Sequence, residues 1–205
     1  MVAPCPLWKR TMDVAISAIT LAAVSPILAV AYVLVRLDSP GPAIFSQTRM
    51  GLGGAPFTMY KFRTMVQDAE NQLADLQEQN ERKGGPAFKI KHDPRVTRLG
   101  RVLRRYSIDE LPQLFNVLVG DMSLVGPRPL ASDEDMDEKF EPWHLARVQV
   151  KPGLTCIWQV TSRDDEDFDN WMRLDVQYIR ERSFWLDLEL LFKTIPALLT
   201  GRGAY

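Results

Sequence analysis

The chain has 205 residues, of which 46% are hydrophobic and 25% charged. That length fits one domain with a small appendage, and the composition excludes a disordered, collagen-like or low-complexity chain. Its 25 Lys and Arg nearly balance its 26 Asp and Glu, so net charge selects no partner and gives no sign of nucleic acid. The distribution says more. Residues 133–141 and 163–169 hold 11 of the acids, whereas residues 82–105 carry nine bases and a single acid, Asp93. Such a block suits a phosphate-bearing ligand or an anionic membrane, its bland alternative being a solvated basic face. Cys5 and Cys156 are too few for a disulfide framework, and with His92 and His144 they are too scattered for a zinc site.

In chain order, the first element is an uncharged run of 22 residues, 14–35. As a helix it reaches roughly 33 Å, close to the hydrocarbon thickness of a bilayer. A signal peptide would have a shorter apolar core, and a buried core helix of this length is long for so small a domain. The run is therefore read as membrane-embedded. Ser25-Pro26 lies at its middle, where proline predicts a kink and the serine hydroxyl offers a partner to the freed carbonyl. Both flanks are basic: Lys9 and Arg10 before, Arg36, Arg49, Lys61 and Arg63 after. A segment that bends and returns on one face satisfies the positive-inside rule, yet single helices that fail to cross are uncommon. Physical grounds alone favour a kinked span.

Asp38-Ser39-Pro40-Gly41-Pro42 is a turn. Residues 43–47 and 56–62 then read as a hairpin joined by Gly51-Leu52-Gly53-Gly54. Residues 66–83 predict a polar helix with no chemistry of its own. Val96, Leu99 and Leu103 recur at helical spacing among Arg95, Arg98, Arg101, Arg104 and Arg105. Residues 111–119 predict an apolar helix with Pro112 at its first position. Residues 184–199 set Phe184, Trp185, Leu188, Leu191, Phe192 and Ile195 on one side and Asp187, Glu189 and Lys193 on the other, as in a core or an interfacial helix. The elements add up to an α+β chain: a membrane helix, a small hairpin, catalytic helices and amphipathic interfacial helices.

Chemistry concentrates after Ser107. Ser107 and Glu110 have the spacing of a capping box, although Pro112 would then fall beyond the first turn. With a helix starting near Pro112 instead, Asp109 and Glu110 lie just ahead of an N-terminus that also favours phosphate. Adjacent carboxylates beside five arginines suit phosphoryl chemistry, one attacking phosphorus and the other holding a hard cation. A P-loop and a dinucleotide fingerprint are both absent. Further on, Gly126-Pro127-Arg128-Pro129 presents one arginine between two φ-locked prolines, as a phosphate grip or as a stiff structural loop.

Taken together these segments resemble the bacterial monotopic phosphoglycosyl transferases, the sugar transferases that begin polysaccharide and glycoconjugate assembly, exopolysaccharide included. The resemblance covers nearly the whole chain. It rests on Lys9-Arg10 through Ser25-Pro26, Ser39-Pro40-Gly41-Pro42, Lys61-Phe62-Arg63-Thr64-Met65, Asp93-Pro94-Arg95-Val96-Thr97 and Leu103-Arg104-Arg105. It continues through Asp109-Glu110-Leu111-Pro112-Gln113, the run from Gly120-Asp121-Met122 to Pro129, Lys151-Pro152-Gly153-Leu154-Thr155 and the ending Gly201-Arg202-Gly203-Ala204-Tyr205. Each motif is weak alone; their order and spacing are specific. Cys156-Ile157 departs from the pattern, where a glycine and an apolar residue are expected before Trp158-Gln159.

The resemblance implies a re-entrant membrane helix over residues 1–38, kinked at Ser25 and Pro26, and a membrane-associated catalytic domain over 39–205. It implies the minimal catalytic form of the family, at the cytoplasmic face of the bacterial inner membrane, with a homodimer allowed. Asp109 would be the nucleophile, Glu110 its dyad partner, both near Mg²⁺, and Lys61, Arg104 and Arg128 would bind phosphate. The substrates would be a UDP-sugar and a polyprenyl phosphate such as undecaprenyl phosphate. Two other classes use the same residues: a bitopic metal-dependent phosphohydrolase or nucleotidyl transferase, and a non-enzymatic scaffold for anionic lipid.

Overall fold

The computed structural model describes residues 3–72, 76, 90, 93–129, 141–161 and 167–200. The architecture is mixed helix and sheet, as expected. Helix α1, Leu7–Asp38, runs unbroken through Pro26. Proline leaves the carbonyl four residues earlier without its donor, and the Ser25 hydroxyl donates to that group, Ala22 O, at 2.9 Å. By length and composition α1 is able to cross a membrane.

Its burial is inside out. The face at Lys9, Asp13 and Ser17 is buried, while Ile19, Ile27, Val30 and Val33 stand 50–70% exposed. Lys9 Nζ donates to Val125 O (2.9 Å) and Tyr178 Oη (3.1 Å) and pairs with Asp187 Oδ2 at 2.5 Å. Asp13 Oδ1 accepts from Ser123 Oγ and Leu124 N at 3.0 and 2.9 Å. Polar groups thus tie the helix to the body and leave hydrocarbon outward, the reverse of a soluble surface helix. At the far end Ala31 and Val35 pack with Ala43, Phe62 and Leu103. Arg63 Nη2 donates to Val35 O and Ser39 O there, at 3.2 and 2.5 Å. Both ends of α1 are seated on one body.

Strands β1, Ile44–Met50, and β2, Pro56–Phe62, form the antiparallel hairpin, with Phe45 opposite Lys61. The first strand extends three residues past its expected end, up to the glycine turn. The helix expected over 66–83 is different in its described part: residues 67–72 are turns, Leu76 is helical, and the rest lies outside the described residues. Helix α2, Arg98–Arg105, is capped by Thr97, whose Oγ1 accepts from Gly100 N at 2.9 Å. Gly100 is the contact point of this helix: a Cβ there would overlap the Thr64 carbonyl. Gly100→Ala should therefore cost roughly 1–3 kcal/mol by overpacking, read as a lower urea midpoint at unchanged slope.

Helix α3, Gln113–Val119, begins one residue later than expected, with Pro112 as its N-cap and Gly120 closing it at φ 102°. The Arg10 guanidinium donates to Val117 O and Leu118 O at 2.6 and 2.7 Å, satisfying the last carbonyls of α3. Two short parallel strands, β3 (Ser123–Val125) and β4 (Gly153–Thr155), pair edge to edge. Gly126 and Gly153 face each other so closely that neither has room for a Cβ. A 3₁₀ helix, Pro142–Gln149, lies before β4, and helices α4, Ile157–Thr161, α5, Phe168–Glu181, and α6, Phe184–Thr200, follow it.

The main core joins Met59, Leu114, Val117, Met122, Leu124, Val125, Tyr178 and Leu190. A second cluster sets Trp158 stacked on Trp171 at 4.5 Å beside Cys156, Phe168 and Met172. Cys156 is enclosed there, its thiol toward Gln159 Oε1 at 3.1 Å. Helix α6 corrects one expectation. Asp187 is on the buried side with Leu190, while Trp185, Phe192 and Ile195 are 55–75% exposed. Asp187 turns inward as the counter-ion of Lys9, Leu186, Leu190 and Leu191 pack on the main core, and Trp185, Phe192 and Ile195 leave the outward side of α6 apolar as well.

Candidate active site

The dyad sits on a single 3₁₀ turn, Ile108–Glu110, between α2 and α3. Ser107 enters it at φ 52°, a left-handed conformation costly for a serine. No side-chain cap is formed by Ser107, so the capping-box alternative does not hold. The chain reverses here because α3 starts only at Gln113, which places both carboxylates ahead of that helix.

Glu110 is gripped by the guanidinium of Arg128: Nη1 donates to Oε2 at 3.3 Å and Nη2 pairs with Oε1. Lys61 Nζ stands 4.0 Å from the same Oε1. Strand alternation delivers this lysine, since Phe62 turns into the α1 contact and Lys61 to the opposite face. Arg104 leaves the exposed row of Arg98, Arg101 and Arg105 and donates from Nε to Thr64 Oγ1 at 2.9 Å. Arg95 is spent locally in a fork on Asp93, at 2.7–3.2 Å. The basic block is thus divided between structure, site and surface. Its bases before Asp93, and His92, lie outside the described residues, as does the Gly201 to Tyr205 ending.

Asp109 is 9% exposed, and its carboxylate accepts no hydrogen bond among the described residues. Burial and the charge of Glu110 push its carboxyl up to about 6, against the pull of Lys61, Arg104 and Arg128. Burial pushes the Lys61 ammonium down to about 8. Arg128 moves upward: burial opposes its charge, and Glu110 more than restores it. The result is a buried carboxylate, without a hydrogen bond among the described residues, within the electrostatic reach of three cations, an arrangement for an anionic ligand with an electrophilic centre.

Residues that the sequence did not single out support this site. Arg147 donates to Arg128 O and to Asp175 Oδ2, the latter at 2.7 Å, locking the Pro127–Pro129 backbone from behind. Asn116 Nδ2 donates to Thr58 O at 2.7 Å and its Oδ1 accepts from Tyr60 N at 3.2 Å, fastening β2 to α3. A polar residue on the buried face of the apolar run was the available signal for Asn116. Arg147 carried none.

The fold and site define a class: a protein with one outward-apolar helix beside a carboxylate and arginine centre suited to phosphate. The chain belongs to the bacterial sugar transferase family, whose pattern matches residues 5–201. It is 48% identical over 171 residues to the galactosyl transferase CpsE of Streptococcus agalactiae, across 83% of this chain and 37% of that protein. It is 42% identical over 200 residues to the undecaprenyl-phosphate galactose phosphotransferase of Salmonella typhimurium, across 96% of this chain and 41% of that protein. A third relative is the UDP-glucose:undecaprenyl-phosphate glucose-1-phosphate transferase of Caulobacter vibrioides, 45% identical over 207 residues. There the match takes in 97% of this chain and 72% of the relative. The chain thus spans about two fifths of the length of the first two proteins.

Proposed function

We propose that this chain transfers a sugar-1-phosphate from a UDP-sugar to a polyprenyl phosphate. The observation that carries the reading is Asp109, buried, its carboxylate without a hydrogen bond among the described residues, and under the electrostatic pull of Lys61, Arg104 and Arg128. Relatives named for undecaprenyl phosphate as acceptor, one also for UDP-glucose as donor, support it.

In this mechanism a carboxylate oxygen of Asp109 attacks the β-phosphorus of the donor. The bond from that phosphorus to the bridging oxygen breaks, UMP leaves with the electron pair, and an aspartyl-phosphosugar remains. A phosphate oxygen of the polyprenyl phosphate then attacks the same phosphorus, releasing polyprenyl diphosphosugar and restoring Asp109. Two displacements on one carboxylate let a weak nucleophile serve. Arg128 offers a planar fork to the diphosphate oxygens, and Lys61 and Arg104 add point charge and a second guanidinium. The dyad also fits Mg²⁺: Asp109 has unengaged hard oxygens, and two carboxylates match an ion held jointly with phosphates rather than in a protein cage. Bound there, Mg²⁺ would neutralise charge on the diphosphate.

A lipid-dependent UMP-release assay over a panel of UDP-sugars tests the reading. UMP formed in proportion to added undecaprenyl phosphate is the expected result. Free phosphosugar, or UMP beyond one equivalent per enzyme, released with water alone would make the chain a hydrolase, and no turnover of any nucleotide would leave a lipid-binding scaffold.

We place the helix as re-entrant because one body holds both ends of α1 and Ser25 satisfies the carbonyl that Pro26 frees, and at the cytoplasmic face because the proposed nucleotide-sugar donor is supplied there. Lys9 is too buried to serve as a labelling position, whereas Leu7 is 83% exposed. With Cys5 and Cys156 replaced, Leu7→Cys should resist an impermeant thiol reagent applied outside intact cells. Adding Ser25→Ala and Pro26→Leu should expose a fraction of it. Labelling without those changes would make α1 a crossing anchor.

A further inference from the structure

A groove of about 100 Å³ opens beside Glu110. It is lined by Leu111 and Leu154, by Val160 of α4, and by Leu191, Ala197 and Leu198 of α6. Ser107 and Glu110 are among its lining residues, so the groove touches the dyad, and most of the rest of its lining is hydrocarbon. Its main polar groups are already engaged. The Thr155 and Thr194 hydroxyls bond each other at 2.8 Å, and Thr194 also donates to Leu190 O at 2.7 Å. A nucleoside or a sugar needs hydrogen-bonding groups in its pocket; these walls offer chiefly methyl and methylene surface.

The groove also has a direction. Helix α6, which supplies one wall, carries Trp185, Phe192 and Ile195 exposed on its free face. At its start, Phe184 packs edge-on against both Trp8 of α1 and Trp185, at 5.7 and 5.3 Å. The apolar surface of α6 therefore begins beside the start of α1, the helix whose own outward face is hydrocarbon. A chain lying in this groove has its headgroup at the cations around Glu110 and its tail on the surface that meets lipid.

We infer that this groove, between α4, β4 and α6, holds the first isoprene units of the acceptor, presenting its phosphate to Asp109. The inference rests on the transfer reading and adds where the acceptor lies and what selects it. Nucleotide and prenyl chain then occupy different walls, so filling the groove separates the two half-reactions.

The test uses the full chain in lipid nanodiscs with Val160→Phe and Ala197→Phe, from two different walls. Two observables are followed: UMP released in a single turnover without acceptor, and steady-state KM for undecaprenyl phosphate. Both variants should release UMP in the acceptor-free turnover within about twofold of wild type while the acceptor KM rises at least about tenfold. Geranyl phosphate should suffer less from the filling than undecaprenyl phosphate does. Direct retention of undecaprenyl phosphate by each protein, counted without any donor, should fall in both variants. An unchanged acceptor KM and unchanged retention in a folded variant overturns the inference, as does a rise confined to the KM for the UDP-sugar. If wild type turns over no UDP-sugar, the transfer reading fails; retention then decides the groove by itself, and equal retention in wild type and variants rejects it.

Discussion

Asp109→Asn should abolish turnover, by at least about a thousandfold, while the protein stays folded. An amide oxygen does not displace UMP, so a denatured-mass measurement after incubation with UDP-sugar should show the phosphosugar adduct on wild type and none on the variant. The structure also fixes the sign of the stability change. Burial and Glu110 hold the Asp109 carboxyl at about 6, above its ordinary 3.8, so the folded state binds this proton more tightly than the unfolded one. The cost of the buried charge is absent well below pH 3.8, grows as pH rises through the interval, and is complete above about 6. Without divalent cation, Asp109→Asn should therefore match or exceed wild type in Tm at neutral pH, with the difference shrinking toward pH 4. A variant that lost activity by unfolding would show the opposite. Turnover above a few per cent of wild type would remove Asp109 from the nucleophile's role. Glu110→Gln should cripple the enzyme as well, since Glu110 is the acceptor of the Arg128 fork and the near neighbour of Lys61.

Local chemistry made several elements legible. Glycine and proline punctuation located the hairpin, apolar spacing located α2, α3 and α6, and Pro112 argued against a helix begun at Ser107. Ser25 beside Pro26 implied its own repair, and Ala22 O receives it. Long-range pairing was not legible. The Lys9, Asp13 and Ser17 stripe can be drawn on a helical wheel, but nothing local says that its partners are Asp187, Tyr178 and Ser123, more than a hundred residues away. For the same reason Asp187 was assigned to the wrong side of α6: a carboxylate in an apolar helix reads as solvent-facing until its cation is known. The β3–β4 pair was invisible because three-residue strands carry no periodicity, and only the two facing glycines record it. In the site the dyad and its cations were readable as residue types. Their support was harder to read: Asn116 showed only as a polar residue on an apolar face, and Arg147, which acts on the Arg128 carbonyl and on distant Asp175, left no local sign.

That hidden support bears on the second large effect, Arg128→Lys. Charge is kept, but the two-point fork on Glu110 is lost, and an ammonium meets only one oxygen of a diphosphate at a time. Activity should fall roughly a hundredfold, the scale of losing one aligned donor to developing phosphate charge. The fall should appear in kcat as much as in kcat/KM, because the fork matters most when UMP departs. A loop that was merely stiff would behave otherwise. Its backbone is held by the Arg147 guanidinium on Arg128 O and by Asp175 behind it, and neither contact involves the Arg128 side chain. Arg128→Lys should therefore leave the urea midpoint nearly where it was, whereas Arg147→Lys should lower both stability and activity by loosening the loop itself. Near-normal kinetics in Arg128→Lys, with the loop intact, would return residues 126–129 to a structural role and move the phosphate grip to Lys61 and Arg104.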